Sequence, residues 1–224
     1  GESPDDLATK IMTTRDPETG ETFTAAEMVD QVAIFFLAGH ETSASALAWA
    51  LYLMAAFPDW QEKLAGEARA HLAPDFACVS RLRVARDVFR ETLRLYPPVP
   101  MMVREAASPE RFRGRDVAAG AQIVLSPWHQ HRHTRLWDDP DGFDPGRWET
   151  EEGRASARVA YMPFSAGPRV CTGAGFAMME GVLLLSRLLC DFRVELADRP
   201  PPVPVAYLTV RARDGIWLRL SRRD

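Results

Sequence analysis

The stretch Phe164-Ser165-Ala166-Gly167-Pro168-Arg169-Val170-Cys171-Thr172-Gly173 sets one cysteine in a glycine-flanked loop directly before an apolar run. That run, Phe176, Ala177, Met179, Glu180, Val182, Leu183, Leu184, Leu185, Leu188 and Leu189, predicts a buried helix ending near Cys190. A metal-bound thiolate carries negative charge, and the start of a helix offers free backbone N–H groups and a partial positive charge to steady it. Gly167 and Gly173 lack the Cβ that would obstruct a tight turn or a close approach to a flat cofactor. The loop therefore suits a thiolate holding an iron. Its physics alone equally suits a buried, inert cysteine, the commoner fate of that residue.

Far upstream, Thr24-x-x-Glu27 reads as a capping box, in which hydroxyl and carboxylate each satisfy an exposed backbone donor. A helix is predicted from Ala25 to about Phe57, stopped by Pro58, roughly 50 Å long at ~1.5 Å per residue. Because it is apolar on most faces, it is expected to be central and buried. Midway along it, Ala38-Gly39-His40-Glu41-Thr42-Ser43 places a carboxylate and a hydroxyl whose burial without partners would cost about 1–3 kcal/mol each. Gly39 also weakens the helix by about 1 kcal/mol relative to Ala. Such locally unfavourable choices mark either a site or a kinked core helix with Ser and Thr bonded back to carbonyls one turn earlier.

Asp59 to about Leu72 reads as an amphipathic surface helix, and Leu82 to Leu95 as another, ended by Pro97-Pro98. On the second, Glu91-Thr92-Leu93-Arg94 places a carboxylate and a guanidinium three residues apart on one face, the pattern of a routine surface ion pair. Val99 to Leu125 favours strands and tight turns around Gly114 and Gly120, while Ser126 to Met162 reads as irregular and packed. At the end, residues 208–212 and 216–220 alternate about the Asp214-Gly215 turn and predict a β-hairpin. His129, His131 and His133 would point one way on a strand, a possible divalent-metal geometry, although an ordinary structural role is the simpler reading.

The pattern Phe164-x-x-Gly167-x-Arg169-x-Cys171-x-Gly173 resembles the haem-binding loop of the cytochrome P-450 family of haem-thiolate monooxygenases. Ala38 to Ser43 resembles that family's oxygen-binding helix, Glu91-Thr92-Leu93-Arg94 its ExxR helix, and Phe143-Asp144-Pro145-Gly146-Arg147-Trp148 its meander, with Trp148 in place of the more usual Phe. The resemblance implies a mainly α fold with small β-sheets: the C-terminal half of the cytochrome P-450 fold, from the long oxygen-binding helix to the C-terminal hairpin. Residues 1–224 would then be one partial domain whose N-terminal half is absent. It implies haem b (iron protoporphyrin IX) with Cys171 as axial thiolate, a ligand whose electron donation favours O–O cleavage. Arg169 and Arg104 would bind propionates, Phe164 and Gly173 would belong to the cofactor loop, and Gly39 would leave room beside the haem. Thr42 and Glu41 would relay protons to oxygen. Glu91, Arg94 and Arg147 would form a buried network bracing the loop, costly to break because removing one partner strands the others. Met101, Met102 and Leu208 fall where the family lines its substrate pocket, though each is equally plain core; for Arg104 a solvated strand arginine is the alternative.

The composition is that of a globular chain: 224 residues, 46% hydrophobic and 26% charged, so disordered and fibrous classes are excluded. A formal charge of −4 gives no reason to expect nucleic acid as the main partner. Cys78, Cys171 and Cys190 show neither CxxC spacing nor a disulfide framework, which fits a reducing compartment. No signal peptide or membrane segment is evident, so a cytoplasmic product is expected. Arg132, Arg135, Arg147, Arg154 and Arg158 precede the cysteine loop and would suit docking of an acidic electron-transfer protein. The implied activity inserts one atom of O2 into a small apolar organic substrate, with electrons from NAD(P)H reaching the haem through a ferredoxin- or flavoprotein-type donor. Rival readings are a truncated haem-binding fragment without independent catalysis, and a haem-thiolate peroxygenase or isomerase, against which the Glu41-Thr42 pair argues.

Overall fold

In the computed structural model, which describes residues 4–223, the Asp6 carboxylate caps a short helix, α1 (Leu7–Thr13), by accepting from the Thr9 N–H at 2.8 Å. The Asp16-to-Gly20 loop follows, with Asp16 Oδ1 accepting from Glu18 and Thr19 N–H and Gly20 at a φ of 75°. The capping box is reciprocal: Glu27 Oε2 accepts from the Thr24 N–H at 2.8 Å, and Thr24 Oγ1 from the Glu27 N–H at 3.3 Å. Beyond it runs α2 (Ala25–Ala56). The chain divides into two compact units, residues 1–41 and residues 42–224.

In the first unit, Val29, Val32, Ile34, Phe36 and Leu37 are each at least half exposed. The expectation of a helix buried along its length is therefore corrected. An apolar surface states which face needs cover, but burial requires a facing element. In the second unit α2 has one: Ala46, Ala50, Leu53 and Met54 join a core with residues of the helices that follow.

Those helices are α3 (Pro58–His71), with proline in its first turn, and α4 (Arg83–Leu95). The start of α4 lacks a cap of its own. Glu67 of α3 supplies it, its carboxylate accepting from Val84 and Ala85 N–H at 2.8 and 3.0 Å. The sheets come next: β1 (Met102–Glu105) pairs antiparallel with β4 (Gln122–Leu125), enclosing the hairpin of β2 (Glu110–Phe112) and β3 (Arg115–Val117). The segment read as irregular holds a short 3-10 helix at Pro145–Glu149 and two α-helices, the single turn α5 (Pro127–Gln130) and α6 (Glu151–Ala160). The latter is capped by Thr150 Oγ1 on Gly153 N–H and carries Glu151 paired with Arg154 and Arg158. Its shortness and weak apolar period hid it from the sequence pattern.

The last helix, α7 (Ala174–Asp191), runs from the cysteine loop into β5 (Phe192–Leu196). Leu64, Leu82, Val88, Phe89, Val182, Leu185 and Leu189 complete the core. The expected terminal hairpin is rearranged. Its Asp214-Gly215 turn forms, with Gly215 at a φ of 79°, but the flanking strands pair outward: β7 (Val210–Ala212) with β6 (Pro204–Ala206), and β8 (Leu218–Arg222) with β5. A turn fixes where the chain reverses, whereas partners are chosen by what else anchors each strand. The Val210 carbonyl accepts from Ser45 Oγ and Trp49 Nε1, while buried Gln61 bonds both the N–H and the carbonyl of Val194 in β5.

Helices α4 and α7 meet where Gly181 lies against the Phe89 ring, too close for a Cβ. Gly181→Ala is expected to lower stability by about 1–3 kcal/mol through overpacking, outweighing the ~1 kcal/mol gained in helix propensity. Gly175→Ala, at a position with open space, should leave the denaturant midpoint unchanged or raise it.

Candidate haem-thiolate site

Three local bonds shape the cysteine loop. The Cys171 N–H donates to the Phe164 carbonyl at 2.8 Å, Ser165 N–H to the Met162 carbonyl at 3.2 Å, and Val170 N–H to the Gly167 carbonyl at 3.0 Å. Left-handed conformations fall at Gly167 (φ 69°) and, unforeseen, at Ser165 (φ 65°). Gly173 has an ordinary φ of −86°, and a Cβ there would sit 3.9 Å from Cys171 Sγ, so neither torsion nor contact within this chain requires glycine at that position. Cys171 is exposed, three residues ahead of α7, and Ala174 N–H bonds its carbonyl. Phe164 is partly buried against the core, which anchors one end of the loop, while Arg169 is exposed. Arg104 of β1 reaches the loop directly, its Nη2 donating to Ser165 Oγ at 2.8 Å.

Behind the loop, Glu91 and Arg94 are fully buried and form a bidentate pair at 2.8 and 3.0 Å, and Arg147 Nε joins Glu91 Oε1 at 2.9 Å. The reading of these residues as one buried network is met in geometry. Arg94 also donates to the carbonyls of His131, Pro140 and Gly142, and Arg147 to those of Asp138 and Asp139. Backbone acceptors thus compensate charge that water would otherwise solvate.

The three histidines are not arrayed on a strand. His129 bonds Ser126 Oγ, His133 Nδ1 accepts from the Arg135 N–H, and His131 is fully buried. Among the described residues no group of three or more His, Cys, Asp or Glu could hold a metal. The basic docking patch keeps three exposed arginines, Arg135, Arg154 and Arg158, and loses two. Arg147 is buried in the network, Arg132 is largely buried over the Trp128 ring at 3.8 Å, and Arg154 and Arg158 pair with Glu151; Arg135 alone of the five is exposed without such an engagement among the described bonds.

In the first unit Gly39 and His40 are exposed and Glu41 half-buried, with open space around the position of a Gly39 Cβ. In the second unit Thr42 is half-buried, so the expected burial of this polar group is not met. Met102 is half-buried, whereas Met101 is 53% exposed and Leu208, at the tip of the β6–β7 hairpin, 81% exposed. Neither exposed residue is core in this chain. A cleft of about 350 Å³ between α3 and β5 contains none of the predicted residues. An exposed thiol at the head of a helix, two arginines on or against its loop, and exposed Val170 and Phe176 beside it are a donor set that fits a flat, anionic, iron-centred group.

The structural role read for His131 in the sequence is met, but its partners, the Arg94 carbonyl and the Met162 N–H, lie 37 and 31 residues away and left no local signal. Burial, then the neighbouring Arg94 and Arg132 charges, lower its pKa to about 4 against the bonds to backbone that raise it.

The fold matches half of a haem domain. The chain is similar over its whole length, with a TM-score of 0.92 and 32% identity, to the crystal structure of the cytochrome P450DA heme domain, of which it covers 50%. A sequence model described as Cytochrome P450 matches residues 1–213. Among curated relatives, the chain is 33% identical to cytochrome P450 4V2 of Rattus norvegicus over 92% of its own length and 40% of that protein's, and 36% identical to cytochrome P450 4B1 of the same organism over 91% and 41%. The chain belongs to the cytochrome P450 family, and it spans about two-fifths of the length of these relatives. Among the described residues no helix is long and apolar enough to cross a membrane.

Two outcomes follow from the buried groups. Glu91→Ala strands two buried guanidiniums and should cost about 3–5 kcal/mol in urea unfolding. His131 has a folded pKa below the unfolded 6.5, so between about 4 and 6.5 the unfolded chain takes up the extra proton. Its contribution is therefore complete above pH 6.5 and lost as pH falls toward 4, by about 3 kcal/mol at most. The urea midpoint of the wild type should fall more steeply from pH 7 to 4.5 than that of His131→Gln.

Proposed function

We propose that residues 1–224 are part of a cytochrome P450 domain that binds haem b and serves a monooxygenase inserting one atom of O2 into a small apolar organic substrate. The single observation that carries this reading is the exposed Cys171 thiol at the head of α7, in a loop tied to the core through Phe164 and to β1 through Arg104 and Ser165. When bound, the haem supplies electron transfer and oxygen activation.

The chain's own residues supply everything else. Cys171 would hold the iron through its sulfur, and the first-turn N–H groups of α7 would oppose the thiolate charge. Arg169 and Arg104 take the two propionates, Arg104 being already oriented by its bond to Ser165. Phe164 and Gly173 border the ring, and Gly39 keeps a backbone approach open on the helix side. The Thr42 hydroxyl and Glu41 carboxylate would hold and pass the protons that oxygen activation consumes. Met101, Met102 and Leu208 present apolar surface to the substrate. Electrons originate in NAD(P)H and arrive from a ferredoxin- or flavoprotein-type donor in the cytoplasm. A second reading, a haem-binding fragment without independent catalysis, is favoured by the exposed apolar side chains of α2 between Val29 and Leu37.

Haem reconstitution followed by reduction under CO tests the reading. The wild type should show the red-shifted Soret band of a thiolate complex, and Cys171→Ser should lose it while retaining its helical circular dichroism. A band unaffected by that substitution would overturn the assignment. Turnover with an added reductase separates enzyme from fragment.

A further inference from the structure

Arg94 has five N–H donors, and all five are spent: two on Glu91 and three on the carbonyls of His131, Pro140 and Gly142. The donors of Arg147 go to Glu91 and to the carbonyls of Asp138, Asp139 and Gly142. None of these bonds reaches residues 162–173. Among the described bonds, the side chain that joins the network to the cysteine loop is His131.

We propose that His131, as a neutral imidazole protonated on Nδ1, is the positioning residue of the cysteine loop. Its Nε2 lies 2.9 Å from the Met162 backbone nitrogen and its Nδ1 3.1 Å from the Arg94 carbonyl oxygen. A backbone N–H can only donate, so Nε2 accepts; the proton therefore sits on Nδ1, where it serves the Arg94 carbonyl. The residue is also fixed through its backbone, and the ring by a stacked neighbour. Arg94 Nη1 donates to the His131 carbonyl, the His131 N–H donates to the Pro127 carbonyl, and Tyr161 stacks on the ring at 5.5 Å.

Met162 is where this order passes into the loop. Its carbonyl accepts from Ser165 N–H, and two residues on the Phe164 carbonyl accepts from Cys171 N–H. One imidazole thus ties the C-terminal end of α4 to the strand of chain from which both loop-closing bonds hang. The charged groups facing the ring are Arg94 from α4, itself neutralised by Glu91, and the adjoining Arg132; both oppose a second proton there, and Tyr161 is the remaining titratable neighbour. That the loop is the thiolate loop rests on the function proposed above, but the positioning does not require haem and is tested without it.

Asn and Gln separate the two bonds, because the Asn amide falls near Nδ1 and the Gln amide near Nε2. Amide hydrogen exchange and alkylation of Cys171, located by peptide mapping in the 224-residue chain, are the readouts. In His131→Asn, exchange at Met162, Ser165 and Cys171 and alkylation of Cys171 should each rise about tenfold, the loss of one net hydrogen bond, while Leu93 and Leu185 keep their protection. His131→Gln should stay within about twofold of wild type. Equal effects of the two variants, a rise spread through α4 and α7, or no rise in the loop would each overturn the proposal. Should His131→Asn not fold, ¹⁵N-histidine spectra of the wild type decide it: a proton on Nδ1 with Nε2 bare supports the assignment, and a proton on Nε2 refutes it. Loss of the thiolate spectrum with loop protection intact would instead count against the haem reading alone.

Discussion

A carboxylate with no exposure to water, clamped between two guanidiniums, is the constraint around which the larger unit is organised. Removing Glu91, Arg94 and Arg147 from water is expensive, and their mutual attraction repays it only if every remaining donor and acceptor is filled. The chain meets that demand by folding residues 138–142 into a bracket of carbonyls around the guanidiniums and by turning the Asp144 N–H toward Glu91. An otherwise irregular segment is thereby given one shape. Trp137, Trp148 and Tyr161 pack edge to face beside it, with Arg90 over Trp148 at 4.1 Å, so the polar bracket has an aromatic wall.

From that bracket, rigidity passes outward in two directions. Along α4 it enters the apolar core shared with α3 and α7, where Gly181 of α7 lies against the Phe89 ring of α4. Through His131 it reaches Met162 and the cysteine loop. The loop has its thiol exposed, and its geometry depends on what holds its two ends: Met162 and Phe164 on one side, and the first turn of α7 on the other. A ligand sulfur benefits from this arrangement, since a preformed position spares the cost of ordering the loop when a group binds.

Much was legible in the residues themselves. Thr24 and Glu27 announced a helix start because both partners of the capping box lie within one turn. Pro58 and Pro97 marked ends for the same local reason, and Glu91 and Arg94 sit three residues apart on one helix. What failed was what depends on distant partners. The 210–222 segment showed its turn but not its pairing, because Gln61 and Trp49, far away in sequence, hold the strands elsewhere. Val29 to Leu37 read as buried because composition reports the need for cover and not its presence. Arg132 and Arg147 read as part of a basic surface because sequence lists charges without the partners that bury them.

By itself, then, the sequence determined the four long helices α2, α3, α4 and α7 with their approximate limits, the order of the motifs and the one cysteine poised before α7, all of them properties set by torsion preferences, capping and periodicity over a few residues. Only the tertiary structure decided that Arg147 completes the Glu91–Arg94 pair, that Arg104 touches the loop through Ser165, and that the His131 ring lies between the Arg94 carbonyl and the Met162 N–H. Those outcomes are matters of burial and direction: hydrogen-bond donors removed from water must each find an acceptor, and which acceptor is near enough is settled when the whole chain is packed.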